Sequence, residues 1–488
     1  MGTMDGWKKT MLLWLASMLV STSIAQDLSV FRQEAYRHAS VSVCVRSLND
    51  GRTVADYQSE KAMSPASVTK LVTTAAALEC LGPDYCFETL LAYDGRIEGP
   101  VLRGNLWIVA GGDPSLGSEY AAASQRDFLQ QWVDVLRRRG IRLVEGQVLL
   151  WSEVFDEEPL SPGWTWEDMG NYYAAGVYGV AVYDNQFRLT LRSGEEGSCP
   201  EMLETTPALP RLAIDNRLRA GGQGDSAYFH GEPYSWQRLL TGSIPPRQER
   251  FVIKGDIPDP ELCLVDLMEG ELRRQGIQVA GRPMHIEGYR CRADKVFRPG
   301  DKRLSLSEER ILLHHRSQPL QEIIRQINYH SLNMFTEYLA RAVARARGCS
   351  GPVSAAQGLQ AVQSFWESKG IDCGSWFLKD ACGLAPQTAF SAASMVDILC
   401  YMAHSAHARL FARSLPQAGR EGTVRNLGAG LPGELRLKSG SRTGVRAYAG
   451  YYTLGNRRYA IAFTLNYSKI PYAQVKTDLE RFILSINH

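Results

Sequence analysis

A serine three residues ahead of a lysine is the first arrangement in this chain that can do chemistry. Ser67 and Lys70 stand at i and i+3 in the run Ser64-Pro65-Ala66-Ser67-Val68-Thr69-Lys70-Leu71, and helical spacing puts both side chains on one face. A serine hydroxyl is a poor nucleophile until a base takes its proton, and a lysine serves when its pKa is depressed. A helix N-terminus adds backbone N–H groups aimed at developing negative charge. Alone the pattern is weak, recurring by chance roughly once or twice in a chain of this length. Its bland reading is two solvated residues on a surface helix. The Ala-, Leu-, Val- and Thr-rich text around it reads instead as buried on nearly every side.

Two further patterns raise the odds of a catalytic serine. Ser331-Leu332-Asn333 precedes a helical stretch, so a hydroxyl and an amide can face a common cleft. Lys438-Ser439-Gly440-Ser441 falls on a predicted strand, where a cation can meet a substrate carboxylate and Gly440 lets another backbone come close. Each is commonplace by itself, and a Ser-x-Asn is usually a helix cap. In the order S-x-x-K, S-x-N, K-[ST]-G, on helix, helix start and strand, coincidence becomes the minor reading.

The elements that must position these residues come from both ends of the chain. Alternation from Val41 to Tyr57 around Asn49-Asp50-Gly51 predicts two strands and a turn. Ser64 as N-cap, Pro65 at the first helical position and Gly82-Pro83 as the stop frame one helix. Helical spacing returns over 320–328, 334–344 and 355–367. Alternation over 434–441, 446–454 and 458–466 then predicts three strands, followed by a helix over about 472–486. The middle is rich in Gly, Pro and Trp, with short strand-like runs. The expected fold class is α+β: an antiparallel sheet flanked by helices, from residues 26–92 and 300–488, split by a mostly β insert of one or two domains over 93–299.

With these motifs in order, the chain resembles the serine active-site penicillin-recognising enzymes. More closely it resembles the D-Ala-D-Ala carboxypeptidase/endopeptidase family, the class C low-molecular-mass penicillin-binding proteins. The resemblance spans nearly all of the expected mature chain. It includes Leu81-Gly82-Pro83-Asp84-Tyr85, Gly111-Gly112-Asp113-Pro114, Pro162-Gly163-Trp164-Thr165-Trp166-Glu167-Asp168-Met169 and Asp380-Ala381-Cys382-Gly383-Leu384, beside the three motifs. The large insert between the first two motifs is itself diagnostic of the class.

The resemblance implies a transpeptidase/β-lactamase-like fold, a serine peptidase that cleaves peptidoglycan peptides through an acyl-enzyme, and covalent inhibition by β-lactams. Ser67 would be the nucleophile and Lys70 its base. Ser331 would relay protons toward the leaving amine, and Asn333 would orient Lys70 and the substrate amide. Lys438 would keep the site electropositive and lower the pKa of Lys70 by like-charge repulsion. With the Ser441 hydroxyl it would also hold the terminal carboxylate. The N–H groups of Ser67 and Ser441 would form the oxyanion hole, and Asp168 would meet the free amino end of the peptidoglycan side chain. Three positions depart from the family pattern: Cys382 replaces a serine, Pro386 stands where relatives carry a polar or basic residue, and Ser439 replaces threonine. Two alternatives stay open: a serine peptidase or esterase of this fold on other substrates, and a non-catalytic murein-binding protein.

Charge and composition exclude other classes. The 488 residues carry 54 basic and 52 acidic side chains, with no basic run able to track a phosphate backbone, so no nucleic-acid partner is expected. Nothing suggests a cofactor: there is no H-E-x-x-H and no Gly-Lys pair of a phosphate loop. Lys8 and Lys9, the apolar run 11–20, and Ser23 and Ala25 describe a signal peptide over residues 1–25. No stretch reaches the roughly 18 apolar residues of a membrane span, and the first cysteine is Cys44, too far away for a bacterial lipid anchor. The expected location is the periplasm or cell envelope, and a homodimer stays open. Ten scattered cysteines permit disulfides without specifying any.

Overall fold

Val41, Val43 and Val45 point to one side of the strand Ser40–Ser47 (β1) and Cys44 to the other, and all four are buried. A strand buried on both faces belongs in the middle of a sheet. The computed structural model, which describes residues 28–281, 296–297 and 307–486, places it there. Thr53–Tyr57 (β2) flanks it on one side, and Glu434–Arg442 (β3), Val445–Leu454 (β4) and Arg457–Asn466 (β5) complete an antiparallel sheet in the order β3-β4-β5-β1-β2. Val43 pairs with Phe463 across β1 and β5, and Lys438 with Ala449 across β3 and β4. The two chain ends thus build one sheet, as their alternation predicts.

One face of this sheet packs on the helices Thr69–Leu81 (α1), Leu320–His330 (α2), Asn333–Ala346 (α3), Ala355–Ser368 (α4) and Ala392–His404 (α5). The other takes the C-terminal helix Tyr472–Ser485 (α6), through Val475, Leu479, Phe482 and Ile483. α1 is buried all round from Thr69 to Leu78, as expected of a helix with no polar face. It ends at Gly82, whose φ of +82° suits glycine.

The start of α1 differs from the sequence expectation. Ser64 caps nothing: a 3-10 turn over Ala66–Val68 precedes α1, with no side-chain cap. The reason is Ala66, whose φ of +45° interrupts helical geometry between Pro65 and Ser67 and leaves Ser64 outside the first turn. Its hydroxyl instead accepts from Arg442 Nη2 at 3.1 Å.

The middle of the chain is built mostly from strands. A five-stranded sheet contains Leu106–Ala110, Val148–Ser152 and the mutually paired Glu88–Tyr93 and Ile311–Arg316. Smaller sheets are built on Gln186–Arg192 and Gln237–Ile244. Two helices not foreseen in the sequence, Phe128–Arg138 and Pro260–Arg274, pack into the core of this region. The expected signal peptide and Cys291 lie outside the described residues. The nine described cysteines are free thiols, so the pairing that an even count permits is not formed among them. Among the described residues no helix is long and apolar enough to cross a membrane.

Candidate active site

The positive φ at Ala66 turns Ser67, within the 3-10 turn, toward a cleft, while Lys70, the second residue of α1, is fully buried. Its Nζ donates to Ser67 Oγ at 3.0 Å, Asn333 Oδ1 at 2.6 Å and the Cys382 carbonyl at 2.8 Å. Three acceptors match the three donors of an ammonium. Asn333 is fixed in turn, its Nδ2 donating to the Tyr173 carbonyl at 2.7 Å.

A second buried lysine approaches from the sheet. Lys438 on β3 is 0% exposed, and its Nζ donates to Ser331 Oγ at 3.0 Å and the Ser439 carbonyl at 2.7 Å. Ser331 closes α2 in the left-handed conformation, φ +63°, and so turns its hydroxyl away from the helix axis. β3 comes close enough because Gly440 has no side chain: a Cβ there would lie 2.2 Å from the Pro65 carbonyl oxygen and 3.1 Å from the Ser67 nitrogen. Ser439, by contrast, turns aside and donates to Thr423 Oγ1 at 2.6 Å.

Burial pushes the pKa of Lys70 below the ordinary lysine value, opposed by the acidic groups Cys382, Asp380 and Glu337. Lys438 is pushed well below, by burial and then by Lys70. Like-charge repulsion between the two lysines adds to burial at Lys438, while acidic neighbours oppose burial at Lys70.

Ser67, Ser331, Asn333, Ser441 and Asp168 line one cleft of about 810 Å³, together with Tyr173, Arg442 and Pro386. The sequence-predicted residues thus converge, with Lys70 and Lys438 beneath the floor and Ser439 beside it. Asp168 comes from the middle of the chain. Its Oδ2 accepts from the Thr165 N–H at 3.2 Å and the Thr165 hydroxyl at 2.8 Å. Trp164 Nε1 donates to Asp380 Oδ2 at 3.1 Å, which ties that segment to the site. Trp166, 59% exposed, stacks on His230.

Arg442 is a cleft residue that sequence reasoning missed. Its Nη2 donates to Ser64 Oγ and, at 3.4 Å, to the Pro386 carbonyl. Burial lowers its pKa, opposed by Asp380 and Asp168. No spacing rule marks it, since it merely follows Ser441 on the strand. Asp380 was visible as the head of Asp380-Ala381-Cys382-Gly383-Leu384, though without a role.

The comparisons with known proteins bear on the family and the fold. D-alanyl-D-alanine carboxypeptidase DacB of Haemophilus influenzae is 24% identical over 453 residues, 90% of this chain and 89% of that protein. The crystal structure of penicillin binding protein 4 (dacB) from Haemophilus influenzae has the same fold, with a TM-score of 0.77 at 22% identity over 94% of this chain and 98% of that one. The structure of that protein complexed with a β-lactam gives 0.73 at 21% identity, over 95% and 98%. The family model of the D-Ala-D-Ala carboxypeptidase 3 (S13) family matches residues 24–481. With a match that takes in every residue of the cleft, the chain belongs to that family.

Proposed function

We infer that Ser67 is the nucleophile with which this chain, a serine-type D-Ala-D-Ala carboxypeptidase and hence a hydrolase, opens peptidoglycan peptides. One observation carries the reading: the Lys70 amine lies 3.0 Å from Ser67 Oγ, buried and held by two other acceptors. As a neutral amine Lys70 donates to Asn333 and the Cys382 carbonyl and turns its lone pair to the Ser67 hydroxyl. Ser67 Oγ then attacks the carbonyl of the penultimate D-alanine while its proton passes to Lys70. The N–H groups of Ser67 and Ser441 receive the oxyanion, and the closeness of Gly440 to the Ser67 nitrogen supports that pairing.

The C–N bond breaks as Ser331, in contact with Lys438, gives its hydroxyl proton to the leaving amine and takes in return the proton held by Lys70. The leaving group is D-alanine in carboxypeptidase action, or a cross-linked neighbour in endopeptidase action. Water then hydrolyses the ester and restores Ser67. Lys438 and Ser441 hold the terminal carboxylate, and Asp168 holds the amino end of the side chain. A β-lactam, whose ring carbonyl replaces the peptide bond, acylates Ser67 and stays. The signal-peptide text at the N-terminus supports export to the periplasm or cell envelope. D-alanine released from a peptide ending in D-Ala-D-Ala tests the reading. Ser67→Ala lowers the rate on the order of 10⁴-fold or more with an unchanged circular dichroism spectrum, and release at the wild-type rate would overturn it.

A further inference from the structure

Beside the loop that Lys70 donates to lies a buried acidic cluster that the reaction as described does not use. Ligand-type atoms of Glu337, Asp380 and Cys382 lie within 4.8 Å of one another, all three residues buried. Asp380 is 0% exposed. Its Oδ1 accepts from the Gly383 N–H at 3.1 Å and the Thr388 hydroxyl at 2.6 Å. Its Oδ2 accepts from the N–H groups of Leu384 at 2.6 Å and Ala385 at 2.7 Å, from Trp164, and from the Cys382 thiol at 3.3 Å. Every neighbour donates, and acceptance at both oxygens is the pattern of a carboxylate.

Glu337 lies one helical turn beyond Asn333 on α3. Its Oε1 accepts from the Ala381 N–H at 2.8 Å and its Oε2 from the Ser161 hydroxyl at 2.6 Å. The two acids therefore bracket the backbone of 381–385, and it is from this loop that the Cys382 carbonyl accepts from Lys70. Gly383, φ +80°, presses the loop on the serine turn: a Cβ there would lie 1.9 Å from the Ala66 carbonyl oxygen.

We propose that Asp380 and Glu337 are positioning residues for Lys70, fixing its amine on Ser67 through the 381–385 loop and serving as the counter-charge against which it takes up the serine proton. The inference rests on Lys70 acting as the base. The charged and titratable groups around that amine are Glu337 on α3, with Arg341 buried one turn further along; Asp380 and Cys382 on the loop; and Lys438 and Arg442 on β3. The acids in this set lie on α3 and the loop, and the other two cations nearest the cleft lie on the strand. When Ser67 gives up its proton, the new ammonium forms near the Asp380 carboxylate and near Glu337, whose pKa burial and then Asp380 raise. Those acids oppose the lowering of the Lys70 pKa by burial.

The rate of acylation by a chromogenic β-lactam, measured across pH on the full chain, tests this. Wild type shows an acidic limb where Lys70 becomes protonated. Removing a negative neighbour disfavours the ammonium, so in Asp380→Asn the limb moves about one unit to lower pH and the alkaline plateau falls. Glu337→Gln moves it about half as far in the same direction. Its amide keeps the acceptor for Ala381 and can donate to Ser161, so it decides the question alone if Asp380→Asn does not fold. A limb left at the wild-type pH, with the rate lowered equally at every pH, would show packing without counter-charge and overturn the proposal. A wild-type profile with no acidic limb would overturn the Lys70 reading first, and this inference with it.

Discussion

At the scale of single residues, the site works by giving each polar atom a fixed partner. The Lys70 amine has three acceptors around it, so it stays in place whether it carries two hydrogens or three. The contact from the loop is a backbone carbonyl, which explains how Cys382 replaces a serine without loss of the Lys70 contact. Its thiol, pushed well above the usual range by burial, points to Asp380. Asp168 has a different task. Thr165 orients its carboxylate in the cleft, remote from the bond that breaks. Binding there aids a substrate that reaches it and does nothing for a small β-lactam. A charge-assisted hydrogen bond contributes about 1.5–3 kcal/mol, or roughly 10- to 150-fold in rate. Asp168→Ala should lower kcat/KM by about that factor for peptides with a free amino end on the side chain, while benzylpenicillin acylation stays within a few-fold. Equal losses on both substrates would make Asp168 structural.

Elements meet at the active site through two glycines that allow backbone to lie on backbone. Gly440 lets β3 reach the serine turn, and Gly383 does the same for the 381–385 loop. In Gly440→Ala the added methyl meets the Pro65 carbonyl, and neither element is free to retreat, since β3 is paired to β4 along its whole length. A displacement near 1 Å costs about 10²-fold. We expect acylation to slow by about that factor while cooperative unfolding persists, as kinetics and thermal melting would show; an unchanged rate would mean the approach is not needed. Gly440 was legible from sequence because Lys-Ser-Gly on a strand has a physical reason. The strands and most helices were legible too, because alternation and helical spacing survive without context. The start of α1 was not. Ser64-Pro65 has the composition of a cap, but the 381–385 loop, approaching at Gly383, lies against the carbonyl of the left-handed Ala66. Arg442 escaped for the same reason: its place in the cleft comes from Ser64 and Pro386, brought there by other elements.

For the whole molecule, the proposed catalytic set is assembled from distant parts of the chain. Ser67 and Lys70 come from the first segment and Asp168 from the middle. Ser331, Asn333 and Lys438 come from the last part, whose strands share a sheet with the first. The 161–168 segment brings Thr165, Glu167 and Asp168 to the cleft, and Trp164 bonds that segment to Asp380. Cys44, Cys263, Cys373 and Cys382 are buried free thiols, packed as small apolar side chains. All of this architecture converges on one oxygen atom. Intact-mass spectrometry of the full chain after incubation with benzylpenicillin tests that most directly. The account predicts one added penicilloyl mass, located by peptide mapping on Ser67 and absent from Ser67→Ala; an adduct on the alanine variant, or no adduct on wild type, would contradict it.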